Sequence, residues 1–312
     1  MKRSLTLAGL VLAPFLLLAC GDEDPESTSA GAPSDAASFP VTVGSGKNAV
    51  ELESQPEQIV SLSPTATEML FAIGAGDQVV AADQYSNYPA EAPTTDLDGF
   101  EPNVEAILGY EPDLVIASSD PGDLVASLDR VEVPTLLLPA AVTLDGTYEQ
   151  IEQLGVATGH VGEAGEVVGQ MRSDIESMTA DLPDGAPVSY FHELDANLYT
   201  VTSSTFIGQL YEMAGMTSIA DDAPDAAGDY PQVSPEYVLS SDPDLIFFAD
   251  GGANGGVTTE DIAGRPGWDH LTAVQDGHVV EVDPDIASRW GPRVVDYLQV
   301  LFDARSELQP VG

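Results

Sequence analysis

The chain has 312 residues, 43% of them hydrophobic, which is enough for about two domains with a substantial core. Nine Lys and Arg residues face 52 Asp and Glu residues, so the formal net charge is −43 at pH 7. A surface this acidic is a poor partner for nucleic acid or anionic lipid headgroups.

The acidic residues are spread along the whole chain, and Lys47 is the only lysine after the first twenty residues. Self-repulsion of this size destabilises a compact state unless salt screens it, and the Debye length falls to about 3 Å at 1 M salt. We therefore expect a protein adapted to concentrated salt, whose melting temperature rises between low and molar salt. A melting temperature that stays constant over that range would contradict this expectation.

The first 20 residues are typical of a bacterial secretory signal. Lys2 and Arg3 precede an apolar run, 5–19, which is too short for a membrane span and ends at a small residue. The next residue is Cys20, the only cysteine, so a disulfide within one chain is excluded. Leu-Leu-Ala-Cys at 17–20 resembles a lipobox, which implies that Cys20 is lipidated and becomes the mature N-terminus. An uncleaved anchor helix is the alternative.

Residues 21–38 contain only Asp, Glu, Ser, Thr, Ala, Gly and Pro. A segment without large apolar residues cannot support a core. We therefore predict a disordered tether that holds the folded part of the chain away from the membrane.

Residues 39–146 are predicted to form an N-terminal α/β lobe. The segment opens with a small hairpin around Gly44-Ser-Gly46 and then alternates strands with helices. Such alternation implies a parallel sheet, with ligands bound beyond the carboxyl ends of the strands. Strands are predicted at 59–62, 78–82, 114–117 and 135–138, and helices at 65–73, 103–109 and 124–128.

Residues 147–181 are predicted to connect two lobes. Apolar residues recur there at roughly helical spacing, and three glycines between 155 and 162 predict a break. We expect one helix to about Thr158 and a longer one from Glu163 to about Asp181. The second helix would span about 28 Å, long enough to brace two lobes side by side. An ordinary surface helix of a single domain is the alternative.

Residues 182–312 repeat the alternation and are predicted to form a C-terminal α/β lobe. The segment 103–116 aligns with the segment 234–247 at an offset of 131 positions (103 to 234). In this alignment Glu105 matches Glu236. Two copies are too few for a repeat array, so we interpret the similarity as a duplicated lobe. Strands are predicted at 188–191, 245–248 and 279–282, and helices at 206–214, 235–240, 268–274 and 292–308.

Sequence motifs of enzymes are scarce. The four histidines lack zinc-ligand spacing, and His192-Glu193 is not followed by the second histidine of a metalloprotease helix. There is no Gly-x-Ser-x-Gly elbow and no phosphate-binding glycine loop. We therefore predict a protein that is not an enzyme and that has no catalytic residue, resident metal or cofactor.

Aromatic and arginine side chains follow several of the predicted strands, among them Tyr85, Phe100, Tyr230 and Arg289. An aromatic cleft with a few polar groups suits a flat or bulky organic ligand. Each aromatic residue alone would more often be packing or turn filler, but four such loops at one predicted mouth favour a binding site. Arg293 begins a predicted helix, where the macrodipole disfavours a cation, so a carboxylate of the protein or the ligand should compensate it.

Four segments together resemble a known family. They are Ile-Val-Ser-Leu-Ser-Pro-Thr-Ala-Thr-Glu-Met-Leu-Phe-Ala-Ile-Gly-Ala-Gly at 59–76, Tyr-Ser-Asn-Tyr-Pro at 85–89, Pro-Asp-Leu-Val at 112–115 and Tyr-Pro-Gln-Val-Ser-Pro-Glu at 230–236. From about Val41 the chain is similar to the substrate-binding proteins of ABC importers for cobalamin and ferric siderophores.

The resemblance implies an α/β fold of two Rossmann-like lobes with parallel sheets, bridged by one long helix. It also implies an extracytoplasmic monomer, anchored to the cell membrane through Cys20. The implied partners are a metal chelate, a permease dimer and the ATPase of that permease.

Within the family, the spacing is most similar to the cobalamin-binding branch. Tyr85 lies where that branch has a ligand-stacking Tyr, and Phe100 and Tyr230 lie where it has Trp. Asp285 and Arg289 match polar residues of its C-terminal lobe. The resemblance therefore implies that these five residues bind the ligand, with cobalamin favoured.

A ferric siderophore is the alternative ligand, because two Trp positions are replaced. Haem is a third, with His192 as a candidate axial ligand, although a histidine in a strand is also compatible with a purely structural role. A surface adhesin or sensor lipoprotein is an alternative of another class. Neighbouring genes that lack a permease and an ATPase would favour it.

In the family, acids that correspond to Glu105 and Glu236 dock onto permease arginines. Each also lies in the first turn of its predicted helix, behind Asn103 or Ser234 as cap, where a negative charge is favoured. The sequence is compatible both with docking of these acids to a permease and with a local role, in which each only stabilises the start of its helix.

Overall fold

A computed structural model describes residues 38–44, 46–180, 182, 188–224, 228–251 and 256–308, all within the unit Asp35–Gly312. The predicted signal segment with Cys20, the tether up to residue 37 and Asp181 lie outside the described residues. No helix in the described part of the chain is long and apolar enough to cross a membrane.

The N-terminal lobe is built on four parallel strands in the order β4-β3-β5-β6. β3 and β5 are buried along their whole length, as expected for central strands of a parallel sheet covered on both faces. The predicted hairpin is present as the antiparallel pair β1-β2. The elements are β1 (Val41–Val43), β2 (Val50–Leu52), β3 (Ile59–Leu62), α1 (Pro64–Ala72), β4 (Val79–Ala82), α2 (Val104–Leu108), β5 (Leu114–Ala117), α3 (Leu124–Asp129) and β6 (Thr135–Leu137).

The C-terminal lobe repeats this plan with four parallel strands in the order β10-β9-β7-β8. β9 is again buried throughout. The elements are β7 (Val188–Glu193), α6 (Phe206–Met213), β8 (Met216–Ser218), α7 (Pro235–Ser241), β9 (Leu245–Phe248), α8 (Thr259–Ala263), α9 (Thr272–Asp276), β10 (Val279–Glu281), α10 (Pro284–Ala287) and α11 (Val294–Glu307). The predicted alternation and parallel sheets of both lobes are thus confirmed.

The predicted single helix at 268–274 is wrong. A short 3-10 turn, Trp268–His270, is followed by a separate helix, α9, and Leu271 between them is extended. The Asp242 carboxylate accepts hydrogen bonds from the Thr272 backbone N–H at 2.7 Å and its hydroxyl at 2.8 Å. This distant carboxylate caps α9 at Thr272, which breaks the helix at a place the local sequence does not mark.

The lobes are joined by α4 (Leu144–Thr158) and α5 (Val161–Ala180). The predicted break between them is confirmed, because Gly159 has a φ of +80°, a left-handed conformation that ends a helix and favours glycine. At 20 residues, α5 is about 30 Å long. A Cβ on Gly155 would lie 2.5 Å from the Ala164 Cβ, so this glycine allows the two helices to pack closely.

One hydrophobic cluster runs from lobe to lobe through these helices. It includes Met69 of the N-terminal lobe, Ile151 of α4, Ile175 of α5 and Phe247 of the C-terminal lobe. Two smaller clusters are each confined to one lobe. A continuous core across the connection opposes large opening of the lobes, because opening would expose apolar surface.

Candidate functional site

A cavity of about 510 Å³ lies between the lobes. Its walls come from the segments that follow β6, β7, β9 and β10, so it lies at the carboxyl ends of strands from both sheets. This is the place at which parallel α/β sheets bind ligands. The lining residues include Ala140 and Ala141 of the N-terminal lobe and Leu194, Phe206, Ile207, Tyr230, Ala249, Asp285, Arg289 and Trp290.

Three of the five predicted ligand-binding residues line this cavity, namely Tyr230, Asp285 and Arg289. Tyr230 is 51% exposed, so its ring is accessible from the cavity mouth. Partial burial and the neighbouring Asp229 raise the pKa of the Tyr230 phenol, which therefore remains a hydrogen-bond donor at neutral pH.

The other two, Tyr85 and Phe100, form an aromatic pair on the N-terminal lobe. Their ring centroids are 5.4 Å apart and the rings meet edge to face at 71°. The Asp98 carboxylate accepts the Phe100 backbone N–H at 2.8 Å, which fixes the turn. A Cβ on Gly99 would lie 2.4 Å from the Leu62 carbonyl oxygen, so only glycine allows this loop to cross the end of β3. The pair is exposed beside the cavity rather than within its lining.

Arg289 links this aromatic pair to the cavity. Its Nη2 donates to the Tyr85 carbonyl oxygen at 3.0 Å and pairs with the Asp285 carboxylate at 2.9 Å. The second Asp285 oxygen accepts from the Asn87 amide at 2.6 Å. Asp285 and Arg289 therefore join the two lobes as well as line the cavity, and contact with a ligand remains a prediction for both.

A buried carboxylate of α1, Glu68, receives two arginines of the C-terminal lobe. Arg289 Nη1 donates to Glu68 Oε1 at 2.7 Å, and Arg293 Nε donates to Oε2 at 2.9 Å. The hydrogen bonds to Glu68 raise the pKa of Arg293. The Arg293 guanidinium also stacks on the Tyr88 ring, 4.3 Å from its centroid. The expected carboxylate that compensates Arg293 is thus confirmed, and it belongs to the protein.

Among the lining residues absent from the sequence-based prediction, four have large apolar or aromatic side chains. Trp290 donates from Nε1 to the Gln150 Oε1 at 2.9 Å, which links the cavity wall to α4. Phe206 and Ile207 begin α6, and Leu194 directly follows β7. Their position after a predicted strand or at a helix start is the signal that could have identified them.

His192 lies in the core rather than on the cavity wall. Its Nδ1 is 2.7 Å from the Tyr211 hydroxyl, and its side chain is fully buried. Burial lowers the pKa of the His192 imidazole to about 3. This environment supports the structural role over the axial-ligand role. Within the described residues, no group of three or more His, Cys, Asp and Glu side chains is arranged to hold a metal ion.

A larger groove of about 890 Å³ lies between the start of α4, the C-terminal half of α5, and α6. It shares Phe206 with the inter-lobe cavity but contains none of the five predicted ligand-binding residues. We assign the site to the smaller cavity because it alone of the two lies at the strand ends.

Glu105 and Glu236 occupy equivalent positions, each the second residue of its helix, and both are exposed. The predicted caps are confirmed. Asn103 accepts the Ala106 N–H at 3.1 Å, and Ser234 caps α7 in the same way. Docking to a permease stays a prediction.

Two parallel α/β lobes that enclose an aromatic cleft define a bilobed solute-binding protein. Residues 59–286 match the family described as periplasmic binding protein. The chain belongs to this family.

Two relatives are similar over nearly the whole chain. The chain is 31% identical to the uncharacterized ABC transporter substrate-binding lipoprotein YvrC of Bacillus subtilis (strain 168), over 97% of each protein. It is also 31% identical to a cobalamin-binding protein of Halobacterium salinarum, over 97% of this chain and 84% of that one. Among solved structures, the periplasmic vitamin B12 binding protein BtuF of Vibrio cholerae has a TM-score of 0.66 and is 26% identical, over 82% of this chain and all of that one.

Proposed function

We propose that this chain is the extracytoplasmic substrate-binding lipoprotein of an ABC importer. It captures a metal chelate, with cobalamin favoured, in the inter-lobe cavity and delivers it to the permease. The observation that carries the proposal is an aromatic-walled cavity at the strand ends of both lobes. The 31% identity to a protein named as cobalamin-binding supports the choice of ligand.

Intrinsic fluorescence offers a direct test, because the chain has only two tryptophans. Trp290 lines the cavity, whereas Trp268 is buried in the C-terminal core. Titration with cyanocobalamin should quench Trp290 in a saturable way with one equivalent of ligand. Trp290→Phe, which keeps Trp268, should remove most of this saturable signal and serves as the control for light absorption by the ligand.

A ferric hydroxamate and haem are titrated in parallel. Saturation by the hydroxamate alone would reassign the ligand to a siderophore, and saturation by none of the three would contradict the proposed function.

Tyr230 in the cavity lining and Tyr85 beside it give a quantitative prediction. Tyr85→Ala and Tyr230→Ala should each weaken binding of cyanocobalamin by about 1 to 3 kcal/mol, because each removes a planar face that the ligand covers. Isothermal titration calorimetry measures the loss. Tyr110→Ala is a matched control, since Tyr110 is also exposed but precedes β5, at the opposite end of that strand from the cavity. Two variants that bind within about 0.3 kcal/mol of wild type would move the site elsewhere.

The acids Glu105 and Glu236 give a prediction about delivery. Glu105→Arg and Glu236→Arg should leave ligand affinity nearly unchanged while they reduce uptake by a reconstituted importer. Loss of one exposed ion pair costs only about 0 to 1 kcal/mol, so charge reversal is a sharper probe than alanine. Glu163→Arg, on the exposed face of α5, is the control. Uptake that survives both reversals together, or ligand binding that falls in step with uptake, would contradict the docking role.

A further inference from the structure

Basic side chains are very scarce near the cavity. Of the nine Lys and Arg residues, Lys2 and Arg3 belong to the predicted signal, and the undescribed segments after residue 180 contain none. Among the residues that the structure describes, Arg289 is the only basic residue in the cavity lining. Arg293 lies next to it on the same carboxylate. A further arginine, Arg265, is held by both carboxylate oxygens of Glu193, the residue before the lining residue Leu194. Among the described residues, Arg289 and its neighbour Arg293 are therefore the first partners to consider for an anionic group on a ligand.

Both guanidinium groups are already neutralised by the protein. Glu68 binds Arg289 and Arg293, and Asp285 binds Arg289, so two positive charges face two negative charges. The side chains of Glu68 and Arg289 are nearly inaccessible to solvent. A ligand anion that drew Arg289 away would leave a buried carboxylate without part of its compensation, which is strongly unfavourable.

Apart from Arg265, which Glu193 neutralises, the remaining charges named around the cavity mouth are negative. Asp229 precedes Tyr230, and Asp283 caps α10 just before Asp285, and both are exposed. Neither forms a salt bridge within the described part of the chain. The start of α6 at Phe206 contributes only about half a positive charge, and Thr205 already caps it. The formal charges named here therefore sum to a negative value around the cavity.

We propose that the cavity accepts metal chelates that are neutral or positively charged and rejects those with a net negative charge, an inference that rests on the proposed function. A ligand carboxylate would meet Asp285 and the exposed acids without a free guanidinium to receive it. A neutral chelate meets no such repulsion and can use the Tyr230 phenol as a donor. The accepted class includes corrinoids with intact amide side chains and neutral ferric hydroxamates. It excludes ferric catecholates and haem with ionised propionates.

Two pairs of ligands with the same metal and different charge test this proposal. One pair is cyanocobalamin and its monocarboxylates, in which one side-chain amide is hydrolysed. The other is a neutral ferric trihydroxamate and a trianionic ferric tris-catecholate. Calorimetry at about 0.1 M salt should show about tenfold weaker binding of the monocarboxylate, the effect of one unit charge about 6 Å away at an effective dielectric constant of about 40. At molar salt the difference should shrink to about twofold.

Asp285→Asn tests the charge balance itself. The variant leaves Arg289 with Glu68 as its only carboxylate partner. The affinity for cyanocobalamin divided by the affinity for its monocarboxylate should therefore fall from about ten to about one. Asp129→Asn makes the same change of charge at a depression near the hairpin and should keep the wild-type ratio.

The outcomes separate this inference from the proposed function. Equal or tighter binding of the anionic member overturns the charge selection and leaves the proposed function intact. A preference for the neutral member that changes neither with salt nor in Asp285→Asn would be due to shape, and it also overturns the inference. Binding of no chelate of either charge overturns both.

Discussion

Glu68→Gln is expected to lower the free energy of unfolding by about 3 to 5 kcal/mol, because it leaves the poorly solvated Arg293 without a carboxylate partner and Arg289 with Asp285 alone. Glu68 is buried in α1, and Arg289 and Arg293 reach it from the C-terminal lobe. The substitution retains the size of the side chain and removes only the charge. Urea denaturation at neutral pH measures the loss. The effect should be large because the three groups form one network across the lobes.

Glu91→Gln is the matched control. Glu91 is an exposed acid in the same depression as Glu68 and Arg293, and its neutralisation should change stability by no more than about 0.5 kcal/mol. A loss below about 1 kcal/mol in Glu68→Gln, comparable to the control, would show that the network does not hold the lobes together.

His192 should make the protein less stable as the pH falls. Burial lowers the pKa of this imidazole from 6.5 to about 3, so between these values the unfolded chain binds a proton that the folded chain excludes. The contribution of neutral His192 is fully present above pH 6.5 and is lost as the pH falls, by about 1.4 kcal/mol per pH unit. The loss should reach about 2 kcal/mol at pH 5 and about 5 kcal/mol over the whole window.

The measurement is the difference in unfolding free energy between wild type and His192→Gln at about pH 7.5 and pH 5. Taking the difference removes the contributions of the carboxylates, which are the same in both proteins. His270→Gln, which removes a histidine whose side chain is 80% exposed, is the control for the substitution itself. A wild-type to His192→Gln difference that is the same at both pH values would contradict the buried neutral state of His192.

The parts of the fold that could be predicted are those in which local pattern and tertiary packing agree. The apolar runs at 59–62, 114–117 and 245–248 are bounded by turns and are buried strands with those bounds. β8 has only three residues at a sheet edge, with the central one exposed, so its periodicity is too short to detect. The start of α9 depends on Asp242, thirty positions earlier, and no local signal marks it.

In the site too, residues marked by a local sequence pattern could be predicted, whereas contacts between distant segments could not. Aromatic and arginine residues after predicted strands indicated Tyr230 and Arg289, because parallel topology places such loops at one edge. Charge at a helix start indicated that Arg293 needs a carboxylate. The identity of that carboxylate could not be predicted, since Glu68 lies 225 positions away and only the docking of the lobes brings them together.

A crystal structure of the protein with cyanocobalamin is the most direct test of whether the cavity between the lobes binds the chelate. We expect one corrin ring between the lobes, with Tyr85 and Tyr230 against it and the Glu68 network unchanged. A corrinoid bound in the groove between α4, α5 and α6, or a cavity that stays empty at saturating ligand, would contradict it.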